Sequence, residues 1–157
     1  MKSASIQEIK TELKTLPASD LTELCLRLAK FKKDNKELLT YLLFEAAGES
    51  TFITTIKKEM DEGFSGLPKP NLYLTKKTLR RILRTATKQI RYMASPQAEV
   101  ELLTYFCRKV RDTRIPIKDS PVLNNLYRQQ LKKARAIVAT LHEDLQYDFL
   151  RDLKGLD

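Results

Sequence analysis

One histidine and two cysteines are the chain's strongest candidates for nucleophilic or metal chemistry, and none has the partner that chemistry needs. His142 opens the run HEDLQ, which lacks the second histidine of an HExxH zinc helix, so it reads as a polar helix break. Cys25 and Cys107 each sit in an apolar helical stripe, Leu21/Leu24/Leu28 and Leu103/Phe106/Val110, and neither has a second cysteine at CxxC spacing. Both are expected to be buried free thiols, and an apolar surrounding opposes the thiolate that a pairing of Cys107 with His142 would require. Ser5, Ser19, Ser50, Ser95 and Ser120 stand where helix caps belong. GESTF and SGLPKP do not cradle phosphate, and Glu59, Asp61 and Glu62 read as a solvated acidic helix end. Acid–base, nucleophilic and metal chemistry are poorly served, so no catalytic residue, cofactor or metal site is expected. A small enzyme with an unrecognised site is the minor alternative.

Cations form the one unusual pattern. Residues 75–94 read TKKTLRRILRTATKQIRYMA, which at about 100° per residue resolves into two opposed faces of a helix. Leu79, Ile82, Leu83, Ala86, Ile90 and Met93 fall on one side; Lys77, Arg80, Arg81, Arg84, Lys88 and Arg91 share an arc on the other. Surface helices normally dilute such a stripe with acids at i±4, because like charges there cost a few tenths of a kcal/mol each, about 0.2–0.5. No Asp or Glu occurs between Glu62 and Glu99. The formal net charge of +9 is concentrated there, since residues 63–98 hold eight cations and no acid while residues 1–62 come to −1 and 99–157 to +2.

Three targets suit the stripe. An acidic protein partner is preferred, because a helical body with one charged face is an ordinary docking platform. Nucleic acid is the alternative: the cations are spaced for phosphates, and Tyr73, Tyr92 and Tyr127 lie near cations where bases could stack. The third target is intramolecular, the acidic run Glu143, Asp144, Asp148 and Asp152 near the end of the sequence. Arg128, Lys132, Lys133 and Arg135 make a secondary basic surface.

The elements that position these groups are all helices. With 42% hydrophobic residues, four glycines and no period-2 alternation, the chain reads as an all-α fold of seven or eight helices, packed as antiparallel hairpins in a bundle or a short irregular solenoid-like array. At 157 residues it fits one domain with one core. Four short helices occupy residues 1–62. The first is capped by Ser5 and Glu8, the second by Ser19, the third by Asp34 or Asn35, the fourth by Ser50 and ended at Gly63. Residues 63–74 form a proline-containing connector, expected as the boundary to a second subdomain, 75–157, that holds the basic helix and two or three longer ones. Ser95–Pro96 and Ser120–Pro121 open two of these. The last runs in register to Leu141 and breaks near 142–146. Its apolar stripe is wide enough for a core or for a twofold interface, so a homo-oligomer is possible.

No apolar run approaches a membrane span, and the N-terminal MKSASIQE has no signal-like core. A cytoplasmic, non-enzymatic binding or adaptor protein is the expectation. The stretches KTELKTLPASDLTELCLRLAKFKKDNKELLTYL, FSGLPKPNLYLTKKTLRRI and KARAIVATL resemble an uncharacterised bacterial all-helical family, a domain of unknown function with no assigned activity. That resemblance spans most of the chain, implies the all-α fold, and brings no catalytic residues with it.

Overall fold

The computed structural model describes residues 1–157 and contains eight α-helices and no strand. In chain order they are α1 (Ile6–Leu13), α2 (Ala18–Phe31), α3 (Lys33–Thr40), α4 (Glu49–Ser65), α5 (Leu72–Met93), α6 (Pro96–Asp112), α7 (Pro121–Val138) and α8 (Glu143–Lys154). A π turn (Tyr41–Glu45) followed by a 3-10 turn (Ala46–Gly48) leads into α4, and a second 3-10 turn (Ile117–Asp119) precedes α7. No helix is long and apolar enough to cross a membrane. Two compact units are distinguished, Met1–Glu45 and Ala46–Asp157, so the connector at 63–74 lies inside the second rather than between subdomains.

In the first unit α1 begins as its sequence dictates. Ser5 and Glu8 form a reciprocal capping box, the Glu8 carboxylate accepting from the Ser5 amide at 2.7 Å. α2 instead starts one residue before Ser19, with Pro17 at the cap, and the Ser19 hydroxyl donates to Asp20 within the first turn. Neither Asp34 nor Asn35 caps α3. Lys32 turns the chain in extended conformation, and the Asn35 amide reaches back to the Leu28 carbonyl at 2.8 Å, satisfying an orphan acceptor at the end of α2. Tyr41 is the one buried side chain in this unit, and α1, α2 and α3 bury none. Cys25 is therefore exposed, against expectation, because nothing covers the apolar stripe that carries it.

The second unit has a core centred on α6, which packs against α4, α5, α7 and α8. Ala98, Val100, Leu102, Leu103, Phe106, Cys107 and Val110 are its buried residues, together with Thr104. Ile53, Ile56, Met60 and Phe64 bring α4 into this unit, and the Phe64 and Phe106 rings meet at 5.6 Å. α4 begins at Glu49 with Gly48 at the cap, so Ser50 lies within its first turn, and it runs past Gly63 to Ser65. α5 starts three residues earlier than its charge pattern suggested, since Asn71 accepts from the Leu74 amide. Thr75 points inward, its hydroxyl donating to the Pro68 carbonyl at 3.0 Å and closing the connector. Ser95 and Ser120 cap α6 and α7 with proline at the first position, as read from sequence. α7 ends at Val138, three residues short of the expected Leu141, and the break spans residues 139–142, with His142 capping α8.

Polar contacts tie the helices together outside the core. Asp61 of α4 accepts from the Tyr105 hydroxyl at 2.8 Å and pairs with Lys109 at 2.8 Å, and Lys57 pairs with Glu101 at 2.6 Å. The acidic end of α4 is thus engaged by α6 at Asp61 rather than wholly solvated. Lys109 holds the Asp61 carboxyl below the usual aspartate range, with Tyr105 adding to that effect and partial burial opposing it.

Candidate binding surface

α5 owes its position to its apolar side. Leu79, Ile82, Ala86, Ile90 and Met93 are buried, which turns the opposite arc to solvent. Lys77, Arg80, Arg81, Arg84 and Arg91 are exposed and form no ion pair, whereas Lys88 is half-buried. From Lys77 to Arg91 the stripe is about 21 Å long at 1.5 Å per residue. Helix stability alone would place acids, not cations, in the opening turns of α5, where the macrodipole is positive. The first turn holds no acid.

The acidic run does not neutralise this stripe. α8 packs against α6 and α7, and Glu143, Asp144, Asp148 and Asp152 are all exposed. Asp148 faces Arg151 at 3.7 Å and Asp144 faces His142 at 3.5 Å, both on or beside their own helix. The intramolecular pairing considered from sequence is thus not formed.

The secondary basic surface divides. Lys133 pairs with Glu99 of α6 at 2.6 Å and lies on a different side from its neighbours. Arg135 donates to both carboxylate oxygens of Asp157, at 2.7 and 2.6 Å. Arg128 and Lys132 are exposed without an ion pair and line a cleft with Arg111 and Lys118. That convergence was not visible from spacing along α7, since Arg111 comes from the last turn of α6 and Lys118 from the 3-10 turn that follows it.

The groups that could do chemistry stay apart in environment. Cys107 is fully buried, and burial pushes its thiol up to about 12. The His142 side chain is 75% exposed and accepts from the Asp144 amide at its helix cap. No three His, Cys, Asp or Glu side chains come together at a spacing that could hold a metal ion. Of the tyrosines considered for base stacking, Tyr73 is exposed, with the Lys76 ammonium 5.1 Å from its ring. Tyr92 is half-buried. Tyr127 is buried, its hydroxyl donating to the Leu156 carbonyl at 2.5 Å, and burial raises its phenol to about 12. Of the apolar stripe considered for a twofold interface, Leu123, Ala134 and Val138 lie in the core of this unit, Leu126, Ile137 and Leu141 are half-buried, and Val122 is exposed.

A further surface belongs to the first unit. Leu28, Phe31, Leu42, Leu43 and Phe44 are each more than half exposed. A groove of about 560 Å³ is floored by Leu26, Ala29, Leu39, Leu43 and Phe44. Lys30, Lys33 and Lys36 rim it. The signal in the sequence was the lysine at every third position among α2 and α3 apolar residues, which a reading for core positions passes over.

No family model, curated protein or solved structure matches the chain. The likeness to a bacterial helical family read from the sequence accordingly transfers no function.

Proposed function

We propose that this protein is a non-catalytic binding or adaptor protein that docks an acidic protein partner on the cationic face of α5. The observation that carries the reading is that Lys77, Arg80, Arg81, Arg84 and Arg91 are exposed on one arc without an ion pair. Such a field steers an anionic surface and sets its register, with modest affinity from each rim charge. The lysine-rimmed groove of the first unit supports the same partner chemistry, because an amphipathic helix with acidic flanks would satisfy its floor and its rim together. A cytoplasmic location goes with this reading: Cys25 and Cys107 are both free, and an exposed thiol such as Cys25 persists in reducing surroundings.

Affinity capture from a nuclease-treated cytoplasmic extract tests it. An acidic protein should be retained at moderate salt by the wild type and lost with the Arg81→Glu, Arg84→Glu double variant. Equal retention by both would remove the α5 face from the reading. Nucleic acid is the second reading, favoured by the exposed Tyr73 beside the stripe. Four phosphate contacts on duplex DNA predict a slope of log K against log salt of about −3.6. Fluorescence anisotropy at low and at about 150 mM salt measures it, and absence of binding at low salt eliminates that reading.

A further inference from the structure

We infer that the cleft between α7, the 3-10 turn Ile117–Asp119 and residues 155–157 is a binding site for a small organic phosphate with an aromatic or short aliphatic body. The inference concerns a different face from α5 and does not depend on the function proposed for it.

The cleft measures about 540 Å³, within the range of small-molecule sites, about 300–1,000 Å³. Five cations line it, Arg111, Lys118, Arg128, Lys132 and Arg135, against one acidic side chain, that of Asp157. They come from three parts of the chain. Arg128, Lys132 and Arg135 share one face of α7 by the i+3/i+4 rule, Arg111 lies in the last turn of α6, and Lys118 sits on the 3-10 turn.

Two of the five are already fixed. The Arg111 guanidinium donates to the Gly155 carbonyl, and Arg135 holds the Asp157 carboxylate at 2.6 and 2.7 Å. The Asp157 carboxylate thus occupies an anion position with the oxygens a ligand would present. Lys118, Arg128 and Lys132 are exposed and have no ion pair, so one acidic side chain leaves most of the positive charge uncompensated. A phosphate answers this better than a second carboxylate, since it brings nearly two charges and three acceptor oxygens to donors on several sides.

The floor decides what the phosphate is attached to. Ile117, Tyr127, Leu131 and Leu156 supply an apolar base beneath the cations. Tyr127 cannot turn its hydroxyl into the cleft, because that group is committed to the Leu156 carbonyl. Inorganic phosphate would leave this base wet, whereas a ring or short chain would cover it.

Titration of the full chain with phenyl phosphate, inorganic phosphate and phenol, followed by amide chemical shifts, tests the inference. Phenyl phosphate should shift amides of residues 117–135 and 153–157 and bind about ten-fold more tightly than either of the other probes. An Arg128→Gln, Lys132→Gln double variant removes two exposed, unpaired cations, so it should retain the wild-type melting temperature while weakening phenyl phosphate by about ten-fold. The Arg81→Glu, Arg84→Glu variant should bind it as the wild type does. Binding of phenyl phosphate no tighter than inorganic phosphate, an undiminished affinity in the Arg128/Lys132 variant, or a loss in the α5 variant would each overturn the assignment.

Discussion

Ile82 of α5 fills the space above Gly63 of α4 so closely that a Cβ on Gly63 would stand 2.7 Å from its Cγ1 and 2.9 Å from its Cδ1. The glycine is there for helix approach, not for termination, and α4 continues through it. Gly63→Ala gains about 1 kcal/mol of helix propensity but overpacks a buried contact at a cost of about 1–3 kcal/mol. The net effect should be a loss of up to about 2 kcal/mol in urea unfolding. In the Gly63→Ala, Ile82→Ala double variant the losses should sum to less than the separate effects, since one substitution makes the room the other needs. Strict additivity would show that the contact does not limit packing.

Ala94 ends α5 in the left-handed region at φ 48° and ψ 32°, where its amide donates to the Ile90 carbonyl. A side chain there costs about 1–2 kcal/mol, partly offset on Ala94→Gly by about 0.4–1 kcal/mol of added unfolded-state entropy. Ala94→Gly should therefore stabilise by about 0.5–1 kcal/mol and raise the melting temperature by about 1–4 °C. A lowered melting temperature would contradict this account of the cap.

Asp61 gives the fold a specific response to acid. Its carboxyl is held below the ordinary aspartate range, first by Lys109 and further by Tyr105, against a desolvation that acts the other way. A carboxyl whose folded value lies below its unfolded value binds more protons when unfolded, so its contribution is complete above the unfolded value. That contribution is lost as pH falls through the folded one. Side-chain exposures of 44% for Asp61 and 30% for Lys109 limit it to at most about 1 kcal/mol. Asp61→Asn should lower the melting temperature at pH 7 and converge with the wild type towards pH 3; a constant difference would assign its effect to packing.

Leu43 and Phe44 are 65% and 75% exposed on the floor of the lysine-rimmed groove. Leu43→Asp with Phe44→Asp should change stability by no more than about 0.5 kcal/mol for each, as surface substitutions do. It should also reduce the fluorescence of an apolar dye bound to the native protein, because it removes accessible floor. Unchanged dye signal would mean that the floor is not open to small apolar molecules.

Local signals were the legible ones. Ser5 with Glu8, Ser95 with Pro96 and Ser120 with Pro121 each specify a helix start within four residues, and the structure places all three there. The buried side of α5 and the exposure of Lys77, Arg80, Arg81, Arg84 and Arg91 followed from periodicity, since both depend on one helix alone, whereas Lys88 is half-buried. What failed needed a partner elsewhere in the chain. Gly63 resembles a stop until Ile82 is placed beside it, and Thr75 only opens the cationic stretch until its hydroxyl finds the Pro68 carbonyl. Cys25 sits on a stripe indistinguishable from that of Cys107, and only the absence of a covering element makes one thiol exposed and the other buried. The cleft beside α7 was likewise hidden, because Arg111 and Lys118 join Arg128 and Lys132 only after the turn has folded.

Buried side chains are shared out very unevenly along the chain, one in residues 1–45 and the great majority from Ile53 onward. Opening a helix costs little where no apolar surface is re-exposed, and nearly the full unfolding energy where the core is breached. Backbone amides of α2 and α3 should then trade their protons for deuterons with little protection, while those of α6 wait for global unfolding. A protease at low dose would read the same difference in strokes of cleavage, nicking before residue 46 and leaving a resistant fragment that begins near α4.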